Sequence, residues 1–461
     1  MSRPSSPLPS PLPIAIAGDG AASDYARRLL VDLGVPAKRA DGPRDLHPAL
    51  AWARSGAMAL TGRADALPRV PSGPLASCAD GVGRALAALG ARPPADAAAL
   101  LGERAAIAGL GRRGDVAPGG RCRLLPTADG YGALQLARDE DVASLPAWLE
   151  AGRAPGEHAW DFAARAMRRR PGATLARRAR WLGMPFAPAR PPRRVGRSWL
   201  RVARCGASRL PTRAPLVLDF SALWAGPLCA SLLARAGARV VKVESLARPD
   251  GARRGPTRFF DLLHAGAVSV ALEFADARDR ALLAALVASA DVVIESTRPR
   301  ALAQLGLDAA AFVGERAGRV WVGITGYGRD ETPPGRVAFG DDAAVAAGLA
   351  CDLADAGGPL FCADAIADPL TGLHAALAAW ATWRSGGGAL LDLALRDVAA
   401  HAHAFTRVEG FVVSGTPDAA RISVAGATER VAPPRARAPT AAARALGADT
   451  AAWRRALSRA C

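Results

Sequence analysis

The chain has 461 residues, 50% of them hydrophobic, a length that predicts two or three domains with buried cores. Its formal net charge of +17 comes almost wholly from arginine, because Lys38 and Lys242 are the only lysines. No apolar run approaches the ~18 residues that a membrane-spanning helix needs, and the seven scattered cysteines form no Cys-x-x-Cys pair, so we expect a soluble cytoplasmic protein without disulfides or zinc.

The first part of the chain is predicted to contain a short lead and a small folded unit. Residues 1–13 lack the basic-then-apolar pattern of a signal peptide, and we expect them to be disordered. Residues 14–160 form the next unit, which includes two strands over 121–137. Asp129-Gly130 lies between these strands and is a strong hairpin signal. The sequence therefore predicts a small hairpin domain within residues 14–160.

A basic, proline-containing segment follows over residues 161–212. Nucleic-acid binding would account for its arginines, but a solvated linker between domains accounts for them as well. The prolines at 188, 191 and 192 and the scarcity of aromatic residues favour the linker. We therefore predict a linker here, with no nucleic-acid or membrane partner.

Strands and helices alternate in the next unit, residues 213–415. The predicted strands are 215–220, 238–244, 268–274, 291–296 and 319–328, and the predicted helices are 221–237, 277–290 and 301–306. This alternation is typical of an α/β fold with a doubly wound, mostly parallel sheet. Ligands of such sheets bind beyond the carboxyl ends of the strands. Residues 416–461 form a separate C-terminal segment.

The two halves of the chain share weak similarity in the same order. Residues 25–38 resemble 228–242, and residues 76–89 align with the stretch around 364–377 so that Asp80 falls on Asp368. In both places the aspartate is predicted to open an alanine-rich helix. The matches indicate an internal duplication whose first copy is degenerate.

Asp368 precedes a proline at the start of a long apolar stretch. Asp-Pro at this place predicts a helix whose N-cap is Asp368 and whose first residue is Pro369. A plain cap is the simplest interpretation of Asp368, and Asp364 is interpreted as a loop residue. Asp80 is interpreted as a relic or a cap.

Four stretches of the second half carry a resemblance to a known family. They are residues 217–245 with an Ala-Gly-Pro turn, 269–307, 319–335, and 367–397 with the motif DPLTG. In order and spacing they are similar to the class III CoA-transferase family, which includes formyl-CoA transferases, carnitine CoA-transferases and α-methylacyl-CoA racemases. The resemblance is weak over residues 14–150. It implies the α/β fold of that family, and it identifies residues 416–461 as a closing strap.

The resemblance also implies a reaction and a site. Asp368 would attack an acyl-CoA thioester to give an aspartyl anhydride and then an aspartyl-CoA thioester, from which CoA moves to a free carboxylic acid. Coenzyme A thioester is then a substrate, and no tightly bound cofactor or metal is expected. The residues implied to bind CoA are Leu223, Trp224, Ala225, Ser296, Thr297, Arg298 and Arg300.

Two other functions stay open at this stage. A catalytically impaired CoA-binding or regulatory subunit fits the eroded first half and the absence, in residues 262–270, of two basic residues found in relatives. An acyl-CoA racemase is disfavoured, because residues 338–345 lack the histidine of the racemase motif. The expected assembly is either a pseudo-dimer within one chain or a homodimer.

Overall fold

The computed structural model describes residues 13–192, 198–297, 302–331 and 336–458. It is a mixed α/β structure. Its first part carries a two-stranded parallel sheet and two helices, residues 21–32 and 75–88, that pack against each other. In the described ranges, no helix combines the length and apolar character needed to cross a membrane. The elements of this first part are β1 (Ile14–Asp19), α1 (Ala21–Asp32), β2 (Ala37–Arg44), α2 (Pro48–Arg54), α3 (Leu75–Ala88) and α4 (Glu103–Ala108).

A three-stranded antiparallel sheet follows. Its elements are β3 (Cys122–Thr127), β4 (Gly130–Gln135), α5 (Asp139–Ala143), α6 (Leu145–Leu149), α7 (Ala159–Met167), α8 (Gly172–Leu182) and β5 (Phe186–Pro188). Thr127 pairs with Gly130, so the hairpin predicted at Asp129-Gly130 is confirmed. Strand β5 pairs with β4 and completes the sheet.

The predicted linker over residues 161–212 is wrong for much of its length. Helices α7 and α8 and strand β5 lie inside it, and they bury Phe162, Met167, Leu175 and Phe186 in a common core. Within α7 and α8 the buried residues recur at helical spacing between the arginines, so each helix has a buried face despite its charge. Counting arginines and prolines missed this periodicity.

The second half contains the large sheet. Its elements begin with β6 (Arg201–Arg204), β7 (Leu216–Asp219), α9 (Ala225–Arg235), β8 (Arg239–Ser245), α10 (Thr257–His264), β9 (Val268–Leu272), α11 (Ala277–Ser289), β10 (Val292–Glu295), α12 (Ala309–Glu315) and β11 (Val320–Thr325). They continue with α13 (Gly340–Ala346), α14 (Leu349–Asp352), α15 (Ala367–Arg384), β12 (Ala389–Ala394) and α16 (Leu395–His403).

Among the described residues, seven strands form this sheet in the order β6-β12-β11-β10-β7-β8-β9. Every neighbouring pair is parallel except β6 and β12, so the predicted mostly parallel sheet is confirmed. The short apolar runs that form β7, β10 and β11 are buried on both faces, as parallel strands covered by helices are.

Helix α15 lies at the centre of the molecule. It is apolar around its whole circumference, and such a helix is stable only when it is enclosed. It packs against α9 of its own half and α3 of the first half. A Cβ on Gly372 would lie 2.7 Å from the carbonyl oxygen of Ala225, so small residues allow this close approach of α9. Both halves therefore fix the position of α15.

The C-terminal segment contacts both halves in turn. Strands β13 (Val412–Ser414), β14 (Arg421–Val424) and β15 (Ala427–Arg430) form a small sheet that packs on α2. Arg437 then makes a bidentate ion pair with Glu103, and α17 (Thr450–Ser458) returns to contact β9. The segment thus holds the first half against the large sheet.

We predict that Lys242→Met destabilises the protein. Lys242 is 2% exposed, and its Nζ lies 3.5 Å from Asp219 Oδ2 and 3.1 Å from Asp250 Oδ2. Removing the ammonium group leaves two buried carboxylates unpaired, a change that costs about 3–5 kcal/mol. The thermal unfolding midpoint of the variant should fall by several degrees. Lys38→Met is the matched control, because Lys38 is exposed on β2, and an equal loss in both variants would contradict this account.

Candidate active site

Asp368 lies at the amino end of α15. The helix begins at Ala367 with Ile366 at the N-cap, so the prediction that Asp368 is the N-cap is wrong. Asp368 is the second helical residue, and its own N–H donates to the carbonyl oxygen of Ala365 at 2.9 Å. Pro369 is tolerated at the third position because the first four helical N–H groups have no partner within the helix.

An unusual turn leads into this helix. Ala363 and Ala365 have positive φ angles of 50° and 44°, a region that residues with a side chain rarely adopt. The N–H of Ala363 donates to Thr61 Oγ1 at 3.0 Å, and the N–H of Ala365 donates to Asp341 Oδ1 at 2.9 Å. The turn is therefore held by a first-half residue on one side and by α13 on the other.

The Asp368 carboxylate faces two backbone amides. The backbone amides of Gly340 and Ala225 act on it and lower its pKa. Gly340 is the first residue of α13, and a Cβ there would lie 2.3 Å from Asp368 Oδ2 and 2.4 Å from the carbonyl oxygen of Ala365. Only glycine fits at this position, and the carboxylate sits directly against the backbone.

Charged side chains surround the same carboxylate. Burial raises the pKa of Asp368 to about 6, the positive charge of Arg104 opposes this, and the negative charge of Asp364 adds to it. Arg104 donates to Asp364 through Nε at 2.8 Å and Nη2 at 2.6 Å. The side chain of Asp364 is completely buried and that of Arg104 is 31% exposed. Asp364 does lie in a turn, but it is part of the site rather than a detached loop residue.

Asp341 is a third carboxyl group in this cluster. Burial and the charge of Asp364 raise its pKa to about 7, while Arg104 lowers it. Sequence reasoning missed both Asp341 and Arg104. The Gly-Asp-Asp start of α13 was a usable signal for Asp341, but nothing distinguishes Arg104 from the many other arginines. No group of His, Cys, Asp or Glu in the described part of the chain is arranged to hold a metal ion.

The turn before α9 lies next to Asp368. Leu223 has a positive φ of 69°, is 41% exposed, and donates its N–H to Asp250 Oδ1 at 3.0 Å. The Trp224 side chain is 1% exposed, with its ring 5.5 Å from that of Phe259 and 5.2 Å from the Arg104 guanidinium. Trp224 is therefore covered by protein in this conformation, and Ala222 and Leu223 are the exposed residues of the turn. Ala225 is the first residue of α9.

The other residues implied to bind CoA follow β10. Ser296 Oγ accepts the N–H of Ala222 at 3.1 Å, which joins it to the turn before α9. Thr297 Oγ1 donates to Glu295 Oε2 at 2.8 Å. The structure thus brings Ser296 to the same edge of the sheet as Leu223 and Ala225. Arg298 and Arg300 lie outside the described residues.

Asp80 occupies a different structural position from Asp368. Helix α3 begins at Leu75, so the prediction that Asp80 opens this helix is wrong. Its Oδ1 accepts the N–H of Ala98 at 2.9 Å, at the start of a 3-10 turn over Ala98–Gly102. Burial raises the pKa of Asp80 to about 6. Asp80 therefore caps a neighbouring turn from within a helix.

Comparison with known proteins shows which family the second half of the chain is similar to. Residues 215–436 match the model of CoA-transferase family III. The second half of the chain is therefore similar to that family. An acyl-CoA transferase from Fusarium pseudograminearum is 32% identical over 201 residues, which are 39% of this chain and 44% of that protein. A succinyl-CoA–D-citramalate CoA-transferase from Chloroflexus aurantiacus is 27% identical over 193 residues, 39% of this chain and 48% of that protein.

One solved structure aligns with part of the chain. A CAIB/BAIF family protein from Brucella suis is 25% identical, covers 47% of this chain and 66% of that chain, and superimposes with a TM-score of 0.41. The chain spans about half the length of the curated relatives named above. The matched region contains Asp341, Asp364 and Asp368 but not Arg104.

We predict that Asp341→Asn stabilises the protein at alkaline pH. The Asp341 pKa rises from 3.8 to about 7 on folding, so the folded protein binds more protons than the unfolded chain between these values. The free energy of unfolding therefore falls as pH rises through that range. Asparagine cannot ionise, and at pH 8 the gain is up to about 4 kcal/mol. Thermal unfolding at pH 5 and pH 8 measures it.

Asp355→Asn is the control for this prediction. Arg63 lowers the pKa of Asp355, so the wild-type pair stabilises the protein above the ordinary Asp pKa and loses that contribution in acid. This variant should be less stable than wild type at pH 8, with the difference closing toward pH 3. A pH-independent difference for Asp341→Asn would contradict the raised pKa.

Proposed function

We propose that the protein is a class III CoA-transferase in which Asp368 is the nucleophile. The observation that carries the proposal is the placement of the Asp368 carboxylate against the N–H groups of Gly340 and Ala225, where no Cβ fits at Gly340. A plain helix cap would satisfy N–H groups of its own helix. This carboxylate instead engages the first residues of two other helices, α13 and α9.

The reaction has two halves that mirror each other. Asp368 attacks the thioester carbon of an acyl-CoA, the C–S bond breaks, and an aspartyl anhydride and CoA thiolate form. The thiolate attacks the aspartyl carbonyl carbon and releases the original acid, which leaves CoA attached to Asp368 as a thioester. A second acid then takes the CoA by the reverse steps. Each step exchanges one carboxylate or thiolate for another and needs no redox partner.

The surroundings of Asp368 suit both its resting and its reacting states. Burial raises its pKa to about 6, so at neutral pH the carboxylate is mostly ionised and less solvated than in water. When its carbonyl carbon becomes tetrahedral, the N–H groups of Gly340 and Ala225 are placed to donate to the oxyanion. The same two amides thus support the nucleophile and the intermediate.

We propose that CoA lies along the turn before α9 and the end of β10. Leu223 presents an exposed side chain there, the buried Trp224 and Ala225 continue the turn into α9, and Ser296 and Thr297 follow the neighbouring strand. Arg298 and Arg300 complete the proposed set. Arg253 is paired with Glu244, whereas Arg254 and Arg258 are exposed and available to the CoA phosphates.

We also propose that the chain is a duplicated pseudo-dimer. In the first half, β1-α1-β2 precedes a helix, α3, on which α1 packs; in the second half, β7-α9-β8 precedes α15, on which α9 packs. Helices α3 and α15 then pack against each other. The proposed divisions are 14–160 with its hairpin domain, the family III core 213–415, and the strap 416–461. The soluble, cytoplasmic location remains part of this proposal.

Trapping the covalent enzyme tests the function. The protein is incubated with acetyl-CoA, succinyl-CoA, oxalyl-CoA and longer acyl-CoAs, and hydroxylamine is added to convert the activated carboxyl group to a hydroxamate. Peptide mass spectrometry should find the hydroxamate at Asp368, and Asp368→Asn should abolish it. Asp80→Asn is the control and should leave it unchanged.

The same experiment decides between the transferase and the impaired subunit. A hydroxamate at Asp80, or none at any residue with every acyl-CoA, would refute the assignment of Asp368. If CoA thioesters bind without forming a covalent adduct, the chain is a CoA-binding subunit, for which the missing basic residues in 262–270 are the supporting observation.

A further inference from the structure

One edge of the Arg104 guanidinium is free beside the candidate nucleophile. Its Nε and Nη2 donate to Asp364, while Nη1 has no hydrogen-bond partner among the described residues. The side chain is 31% exposed, and Nη1 is not among the buried unpaired nitrogens of the described residues, so solvent reaches this edge. Arginine carries five donors in a planar fork, and the bidentate pair with Asp364 uses only two of them.

The guanidinium is held in one orientation by three neighbours. Asp364 fixes it in plane, and the Trp224 ring lies 5.2 Å away. On the remaining side, a Cβ on Gly119 would lie 3.4 Å from Arg104 Nη2 and 3.8 Å from Asp364 Oδ1. An arginine fixed in this way binds an anion without losing further side-chain freedom.

We propose that the free edge of Arg104 binds the carboxylate of the acceptor acid, and that it does so after Asp368 has become its CoA thioester. The inference rests on the proposed transferase function and assigns the ligand class, a carboxylate anion, to a residue of the first half. Arg104 lies outside the matched family region 215–436. A planar carboxylate is the partner that the arginine fork fits best.

The charges of the site set the order of binding. In the resting enzyme, the Arg104 guanidinium lies close to the carboxyl groups of Asp364, Asp341 and Asp368. These four groups are the charged groups that act on one another in this cluster. A further carboxylate is repelled as long as Asp368 is ionised. Conversion of Asp368 to a thioester removes its negative charge and leaves Arg104 with less anionic surroundings. The acceptor acid is therefore favoured only in the CoA-loaded enzyme.

The bound acid is then placed to react. One oxygen of its carboxylate attacks the Asp368 thioester carbon, a C–O bond forms, the C–S bond breaks, and CoA leaves as the thiolate. The thiolate attacks the acyl carbon of the acceptor, and the bond from that carbon to the bridging oxygen breaks, so the oxygen stays on Asp368. The products are the acceptor's CoA thioester and the Asp368 carboxylate, with no net change in oxidation state.

A binding experiment tests this inference without turnover. Phenylglyoxal modifies accessible arginines at pH 8, and peptide mass spectrometry gives the modification rate of each site. Acetate is the probe carboxylate, and chloride at equal ionic strength is the reference. Asp368→Asn imitates the uncharged state of the nucleophile. In this variant, acetate should protect Arg104 at a concentration about 10-fold or more below that needed in wild type.

Arg63 is the matched control within the same sample. It makes the same kind of bidentate pair, with Asp355 through Nε and Nη2, and its side chain is also 31% exposed. Acetate should leave its modification rate unchanged in both proteins. Equal protection of Arg63 and Arg104, or equal protection of Arg104 in wild type and Asp368→Asn, would overturn the inference.

A kinetic comparison separates this inference from the proposed function. Arg104→Lys keeps the charge but lacks the fork, so the KM of the acceptor acid should rise about 10- to 100-fold. Because lysine keeps the positive charge that pairs with the buried Asp364, hydroxamate formation at Asp368 with donor alone should be retained, and this measurement checks that the turn is intact in the variant. Arg63→Lys should change neither the acceptor KM nor hydroxamate formation. Absence of a hydroxamate at Asp368 of the wild-type protein would refute the proposed transferase function. An unchanged acceptor KM alongside an intact hydroxamate refutes only the role of Arg104.

Discussion

The arrangement around Asp368 depends on the bidentate ion pair between Arg104 and Asp364. Asp364 is completely buried, and a buried carboxylate is strongly destabilising unless it is paired. It lies between Ala363 and Ala365, whose positive φ angles bring the chain into α15. The pair therefore joins the charge of a first-half residue to the turn that positions the candidate nucleophile. Loss of either partner would disturb both the turn and the pKa of Asp368.

This dependence explains why the two halves are packed through α15. The first half supplies Arg104 as well as the Thr61 hydroxyl that accepts a hydrogen bond from the turn. The second half supplies the amides of Gly340 and Ala225. The C-terminal segment, through the pair between Arg437 and Glu103, holds α4 and hence Arg104 in place. The site is thus assembled from the first half, the second half and the C-terminal segment, and Thr61, Arg104 and Arg437 lie outside the region 215–436 matched by the family model.

The sequence predicted the features that depend on local pattern. Alternation of apolar strands and helices gave the parallel sheet, and Asp129-Gly130 gave the hairpin. Prediction from the sequence failed where contacts between distant residues override the local conformational preference. Alanine carries no signal for a positive φ, so the turn before α15 moved the helix start ahead of Asp368. Arg104 became significant only through Asp364, 260 residues away, and the helices within the arginine-rich segment were hidden because charge was weighed above spacing.

The most direct test of the proposed mechanism follows an oxygen atom from the acceptor acid to Asp368. If the acceptor carboxylate attacks a thioester on Asp368, its bridging oxygen remains on Asp368 when the product leaves. A single turnover with an acyl-CoA donor and an acceptor acid labelled with oxygen-18 in both carboxyl oxygens should therefore place one heavy oxygen, ~2 Da, in the peptide containing Asp368, and further turnovers should exchange its second oxygen, while the peptide containing Asp80 stays unlabelled. Formation of the new acyl-CoA without any label at Asp368 would show that CoA transfer bypasses this carboxylate.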